Sequence, residues 1–245
     1  MALEIHPLDL GESEGDTSFI VFGMTPGTKV WSPVLAYLIL GGPEPIVVDA
    51  GFRDAQWLLD NLGYSFRQSE TQNLEAALGR HGLEPGDVGK LVLTHLHFDH
   101  TGLVDRFPNA RIFVQRDELR YAAAPLFPAA FFDRIDIAKL VGPLWDQLEL
   151  MNGDGEIAPG VRGVVTGGHS PAHQLIYVDV PSGQAIICGD AAYLVDPAVT
   201  QGLPPAYVIS MPDALDALAR IKRDADHVLP MHDASVLAKY PEGIR

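Results

Sequence analysis

At 245 residues with 47% hydrophobic content, the chain can bury a large core, and it has no low-complexity tract or Ser/Gly linker, so one domain over residues 1–245 is expected. A formal charge of −15, without clustered Lys and Arg to neutralise phosphates, argues against a nucleic-acid partner. No apolar run reaches the ~20 residues needed to span a bilayer; Met1 to Leu10 lacks the basic start and apolar core of a signal peptide, and the single Cys188 has no intrachain partner, so a cytoplasmic protein without membrane contact is expected.

In chain order, Trp31 and Pro33 precede two apolar, β-prone stretches, Val34 to Leu40 and Ile46 to Asp49, joined by the turn residues Gly41 to Pro45. Asn73 to Arg80 reads as a helix with Leu74, Ala77, Leu78 and His81 on one face and Gly82 as its stop. Leu91 to Leu93 reads as a buried strand. Directly after it come His95, Leu96, His97, Phe98, Asp99 and His100, which crowd four metal-seeking side chains onto a loop at a strand end. Imidazoles with one carboxylate and no thiolate suit zinc or a neighbouring divalent transition metal, and the mixed spacing invites two ions.

A strand over Arg111 to Gln115 and a helix from Asp117 follow, and then the apolar segment Tyr121 to Met151. That segment has two readings: a helical hairpin packed on the core, or a cap that lines an acyl pocket or a homodimer contact. The second half has strands near Gly163 to Thr166, Gln174 to Val180 and Gln184 to Cys188, and a helix Met211 to Arg223 that opens on Ser210 and Asp213, with Leu215, Leu218 and Ile221 as its apolar face. His169, Asp190 and His232 each stand at a strand end or turn. Two β-rich halves with helices outside imply an α+β protein in which helices flank two packed sheets. His6 and His227 are assigned to surface or core, and His173 to support of its loop through Gln174 or a backbone carbonyl.

The succession HLHFDH, GHSPAH, GDAAY and MHD resembles the metallo-β-lactamase-fold hydrolases, and within them the N-acyl-homoserine lactonases and 4-pyridoxolactonase-like lactonases, over about Val34 to Asp233. The resemblance implies a four-layer αββα sandwich. It implies two Zn2+, or other divalent ions such as Co, Mn or Fe, with His95, His97 and His169 on one, Asp99, His100 and His232 on the other, and Asp190 bridging them. The implied reaction is attack of a metal-bridging hydroxide on a lactone carbonyl, with N-acyl-homoserine lactones, and so degradation of quorum signals, first among substrates. Asp99 would carry a proton to the leaving oxygen, Tyr193 would offer a phenolic hydrogen bond, and Asp49 would brace the ligand loop. A thioesterase of the glyoxalase II type and a lactonase or esterase for another small molecule remain alternatives.

Overall fold

The longest strand in the chain is one its hydrophobic pattern does not announce. β1 (Glu4–Asp16) alternates polar and apolar residues in its first half and is almost wholly polar in its second. It pairs antiparallel with β2 (Lys29–Leu40), from Glu4 opposite Leu40 to Asp16 opposite Lys29. β2 therefore starts five residues before the apolar run that marks it. The ladder slips between Asp9 and Glu12, where Gly11 takes φ +132°; a side chain there would meet the Arg67 carbonyl and the Phe52 ring at 2.7 and 2.8 Å. At the far end of this ribbon a single helical turn, α1 (Thr17–Ile20), is capped by the Asp16 carboxylate.

The computed structural model describes residues 2–126 and 131–245. After the ribbon come β3 (Ile46–Val48), α2 (Ala55–Leu62), β4 (Phe66–Arg67), α3 (Leu74–Gly79), β5 (Lys90–Val92), α4 (Phe98–Thr101), β6 (Arg111–Gln115), α5 (Arg116–Ala123), α6 (Arg134–Val141) and β7 (Leu148–Met151). β8 (Gly155–Ala158), β9 (Val161–Val165), β10 (Gln174–Val180), β11 (Gly183–Gly189), α7 (Met211–Asp224), β12 (His227–Pro230) and α8 (Ala234–Lys239) complete the chain. The first sheet has the order β4-β1-β2-β3-β5-β6-β7 and the second β12-β11-β10-β9-β8.

Alternation along β2 explains the layering. Leu35, Tyr37 and Ile39 face the second sheet and meet Ile176, Val178, Ile187 and Leu229. Ala36 and Leu38 face outward, onto Leu74, Leu78, Leu119, Ile137 and Leu140 of α3, α5 and α6. The outer face of the second sheet, Leu175, Tyr177 and Ile186, is covered by Ala217, Leu218 and Ile221 of α7. Both faces of the central strands are buried, which is why they read as unbroken apolar runs. The result is the α+β, four-layer αββα sandwich.

Several details differ from the pattern-based expectation. α3 is capped by Asn73 and stops at Gly79, and His81 lies beyond it with its ring 4.5 Å from that of His6. On α7 the buried stripe is Ala214, Ala217, Leu218 and Ile221, whereas Leu215 is exposed: smaller alanines carry the face that a larger leucine seemed to mark. The segment 121–151 holds the end of α5, then α6 with Ile137 and Leu140 in the core, then β7, which extends the first sheet parallel to β6. Phe127 and Pro128, counted with that segment, lie outside the described residues, as does Met1.

Candidate metal centre

β3 and β5 run parallel, and the groups of interest gather at their carboxyl ends, where open sheets place their ligand sites. Asp49 follows β3 with φ +63° and is, among the described residues, the one non-glycine residue with positive φ. That turn aims its carboxylate back beneath the loop after β5. Its Oδ1 accepts the Thr94 N–H at 2.8 Å, and its Oδ2 accepts the Thr94 hydroxyl at 2.7 Å and His100 Nδ1–H at 2.7 Å. The loop then carries His95 and His97, and the single turn α4 carries Asp99 and His100.

From the second sheet, the loop after β9 delivers His169, the end of β11 delivers Asp190, and the end of β12 delivers His232. Two groups form, His95 with His97, His169 and Asp190, and Asp99 with His100 and His232, the atoms within each lying within 4.8 Å of one another. Asp190 joins them. Its Oδ2 lies 3.8 Å from His95 Nε2 and 3.3 Å from His169 Nε2, and its Oδ1 lies 3.2 Å from His100 Nε2 and 3.3 Å from His232 Nε2. Asp99 turns Oδ1 to His100 Nε2 at 3.8 Å and Oδ2 to His232 Nε2 at 3.7 Å. His97 enters through Nδ1, 3.0 Å from His169 Nε2. All seven side chains singled out in the sequence thus converge on one spot.

The donor set fits divalent ions on two physical counts. First, His95 Nε2, His100 Nε2, His232 Nε2 and Asp190 Oδ1 are buried without a hydrogen-bond partner, and they converge on one another. Orphaned buried polar atoms are rare and costly singly, and four in one place call for a cation. Second, nitrogens bound tetrahedrally at about 2.0–2.1 Å stand roughly 3.3 Å apart, close to the spacings observed within both groups.

The opposite ring nitrogens are held so that Nε2 faces inward. His95 Nδ1–H donates to the Thr94 hydroxyl at 3.1 Å, His169 Nδ1–H to the Tyr207 carbonyl at 3.0 Å and His232 Nδ1–H to the Pro33 carbonyl at 2.9 Å. Burial holds His95 and His97 well below the usual histidine range and brings His169 down to about 4, leaving lone pairs free. Burial would lower His100 and His232 as well, but Asp190 and the neighbouring carboxylates outweigh it and raise both. Burial would raise Asp190; the charge of His100 and His232 reverses this and holds it well below the carboxylate range.

Three supports differ from expectation or escape it. His173 is buried; its Nε2 accepts the Asp190 N–H at 3.1 Å and its Nδ1 meets the Thr166 hydroxyl at 3.3 Å, so its ring braces the backbone of a candidate ligand and its own loop, through neither Gln174 nor a carbonyl. Gly189, at φ +50°, makes room for this, since a Cβ there would lie 2.5 Å from His173 Nε2. The Tyr207 and Pro33 carbonyls, which orient two imidazoles, have no sequence signature because any residue supplies the same acceptor. His227, by contrast, lies outside the site between Ser182 and Tyr240.

Beside the centre lies a cavity of about 290 Å³. His97, Asp99, Asp190, Tyr193 and His232 form its floor; Phe19, Ile20, Tyr64, Phe66, Phe98 and Phe131 form apolar walls; Ser13, Glu14, Asp16 and Ser32 of the β1–β2 ribbon close one side. Tyr193 packs its ring 5.0 Å from that of His232; burial, then the charge of Asp190, holds its phenol well above the ordinary tyrosine range, so it stays a hydrogen-bond donor. Trp31 lies under the Arg67 guanidinium at 4.2 Å and does not line the cavity.

Comparison with known proteins agrees with this geometry. The model of the metallo-beta-lactamase superfamily matches residues 30–232. The N-acyl homoserine lactonase of Bacillus thuringiensis is 32% identical over 201 residues, covering 78% of this chain and 76% of that protein. The N-acyl homoserine lactonase AttM of Rhizobium radiobacter is 34% identical over 165 residues, 64% of this chain and 59% of that one. A solved N-acyl homoserine lactone hydrolase, with the product N-hexanoyl-L-homoserine bound at its catalytic metal centre, superposes with a TM-score of 0.82 at 26% identity over 100% of both chains. Among the described residues, no helix is long and apolar enough to cross a membrane. The chain belongs to the metallo-beta-lactamase superfamily and is one of its metal-dependent hydrolases.

Proposed function

We propose that this protein opens the ring of N-acyl homoserine lactones with two divalent ions, zinc first among them. His95 Nε2, His97 Nδ1 and His169 Nε2 would hold one ion, and Asp99, His100 Nε2 and His232 Nε2 the other. Asp190 would give one oxygen to each. The observation that carries the reading is the Asp190 carboxylate, with its two oxygens directed to two separate sets of buried nitrogens beside an apolar cavity. When bound, such ions polarise a carbonyl and bring the pKa of a water down to about 7, so that a hydroxide nucleophile is available at neutral pH.

The chain's own residues then do the rest. Tyr193 donates its O–H to the lactone carbonyl oxygen, a bond that strengthens as negative charge builds there. The oxygen of water joins the carbonyl carbon, the ring C–O bond breaks, and the proton that water gives up passes by way of an Asp99 carboxylate oxygen to the departing alkoxide, giving the hydroxy acid. Phe19, Ile20, Tyr64, Phe66, Phe98 and Phe131 receive the acyl chain and exclude bulk water. The lining residues include Glu14 and Asp16 and no lysine or arginine, which disfavours the anionic thiol carrier of a glyoxalase II type thioesterase.

Metal analysis of the purified protein, paired with a panel of acyl-homoserine lactones, simple esters and glutathione thioesters followed by mass spectrometry, tests this. The expected result is two metals per chain and lactone opening that is lost on chelation and restored by zinc. Turnover of thioesters but not of lactones by fully loaded protein would overturn it.

A further inference from the structure

We infer that Glu118 is a positioning residue for the His95, His97 and His169 group: its carboxylate ties together the two loops, one from each sheet, that carry those imidazoles. The inference rests on the metal-centre reading above. Glu118 sits on α5, 1% exposed, and its carboxylate hydrogen bonds go to backbone N–H groups outside the seven-residue set. Its Oε1 accepts the N–H of Leu96 at 3.3 Å and its Oε2 accepts the N–H of Ala172 at 2.9 Å. Leu96 stands between His95 and His97. Ala172 stands three residues past His169 and directly before His173, which supports the Asp190 backbone.

The same two loops are joined at another point, where Gln174 donates its N–H to the Thr94 carbonyl at 2.9 Å and its Nε2–H to the Leu93 carbonyl at 2.8 Å. A single fastening leaves two loops free to pivot; a second, on the α5 side, fixes the separation of the imidazoles they carry. The chemistry of the side chain supports this role over simple packing. A buried carboxylate costs several kcal/mol in lost hydration, which a leucine at the same place would avoid. Only a carboxylate presents two acceptors to two N–H groups. Glutamine presents one acceptor and one donor, so one of the two loops would face an N–H with another N–H.

The test is stepwise zinc binding, measured by competition with a chromophoric chelator, on the full chain and on Glu118→Gln. Wild type showing two binding steps, with Glu118→Gln weakening one by about 10–100-fold and leaving the other within about threefold, is the expected result. Lactone turnover by the variant should return when zinc is raised to saturate the weakened step, which general damage to the fold would not allow. Equal weakening of both steps, or no change in either, overturns the inference while the two-ion reading stands. Absence of two steps in wild type overturns that reading itself. If circular dichroism shows Glu118→Gln unfolded, Glu118→Asp, which keeps the charge but is one methylene short of spanning both amides, must show the same one-step loss; two unchanged steps in that variant also refute the inference.

Discussion

Replacing Asp49 by Asn changes no side-chain size and deletes one negative charge, yet the structure makes it a severe perturbation. Suppose the amide keeps its oxygen on the Thr94 N–H. Its NH2 then occupies the place of Oδ2, 2.7 Å from both His100 Nδ1 and the Thr94 hydroxyl. His100 can no longer donate from Nδ1 and must carry its proton on Nε2, the atom that faces Asp190. The Thr94 hydroxyl must reverse as well, pointing its hydrogen at His95 Nδ1, which drives His95 into the same unfavourable tautomer. In the other amide orientation, NH2 meets the Thr94 N–H and leaves a buried donor unpaired, at a cost of about 1–3 kcal/mol. Loss of such an outer partner typically lowers metal affinity by about 10–100-fold, and tenfold is about 1.4 kcal/mol. With two imidazoles affected, Asp49→Asn should weaken both zinc steps, each toward the upper end of that range, in contrast to Glu118→Gln. Chelator competition gives the affinities, and long-range proton–nitrogen NMR of the imidazoles reports the tautomers. Wild-type affinity with His100 still protonated on Nδ1 would refute the reasoning.

Tyr193→Phe should lower kcat by about tenfold or more, the worth of a hydrogen bond to developing charge, with metal content unchanged by elemental analysis; unchanged kcat would remove the phenol from the reaction. Chelation should lower the melting temperature measured by calorimetry, because the ions bind only the folded arrangement, and identical melting with and without metal would contradict a buried two-ion site. Asp136 on α6 offers a test remote from the candidate metal ligands. Burial, then the neighbouring Asp133 carboxylate, pushes it up to about 7, and its Oδ1 has no hydrogen-bond partner. A carboxyl with a raised folded-state pKa favours folding while protonated, so its contribution should fade as pH climbs from about 4 through about 7. Denaturant unfolding of Asp136→Asn should therefore match wild type near pH 4 and exceed it near pH 8, by up to about 4 kcal/mol at 1.36 kcal/mol per unit; a variant less stable at pH 8 would show that the ionised carboxylate is instead held by Lys139, 3.5 Å away.

What could be read from the chain follows the range over which each feature is encoded. The ligand loop is legible because His95, His97, Asp99 and His100 crowd into six residues with no structural reason to do so. The central strands are legible because burial on both faces leaves a continuous apolar run. β1 was hidden: the outer half of its ribbon is flanked by solvent and by the cavity, so Glu12 to Asp16 looks like a polar loop, and only its register against β2 makes it a strand. Glu118 was hidden for a similar reason. In the run Arg116, Asp117, Glu118, it looks like any acid on the first turn of a helix, and only the approach of two distant loops distinguishes it from the exposed Asp117. The Tyr207 and Pro33 carbonyls belong to the backbone, where composition carries no information. Leu215 shows the converse error, a large apolar residue taken as core where the neighbouring alanines fill it.

The slip in the β1–β2 ladder has a bearing on how substrate preference can change. Thirteen residues of strand extend about 40 Å, and the ribbon is anchored at one end by Ile5, Leu8, Leu35 and Tyr37 in the interior while its other end supplies Ser13, Glu14, Asp16, Phe19 and Ile20 to the cavity. Gly11 lies at the elbow between those ends, its missing side chain filled by the Phe52 ring. The ribbon bends at that glycine, so a substitution there would shift the ribbon's side of the cavity without altering a residue that lines it. A change of cavity shape can therefore arise at the elbow while the seven candidate ligands keep their places.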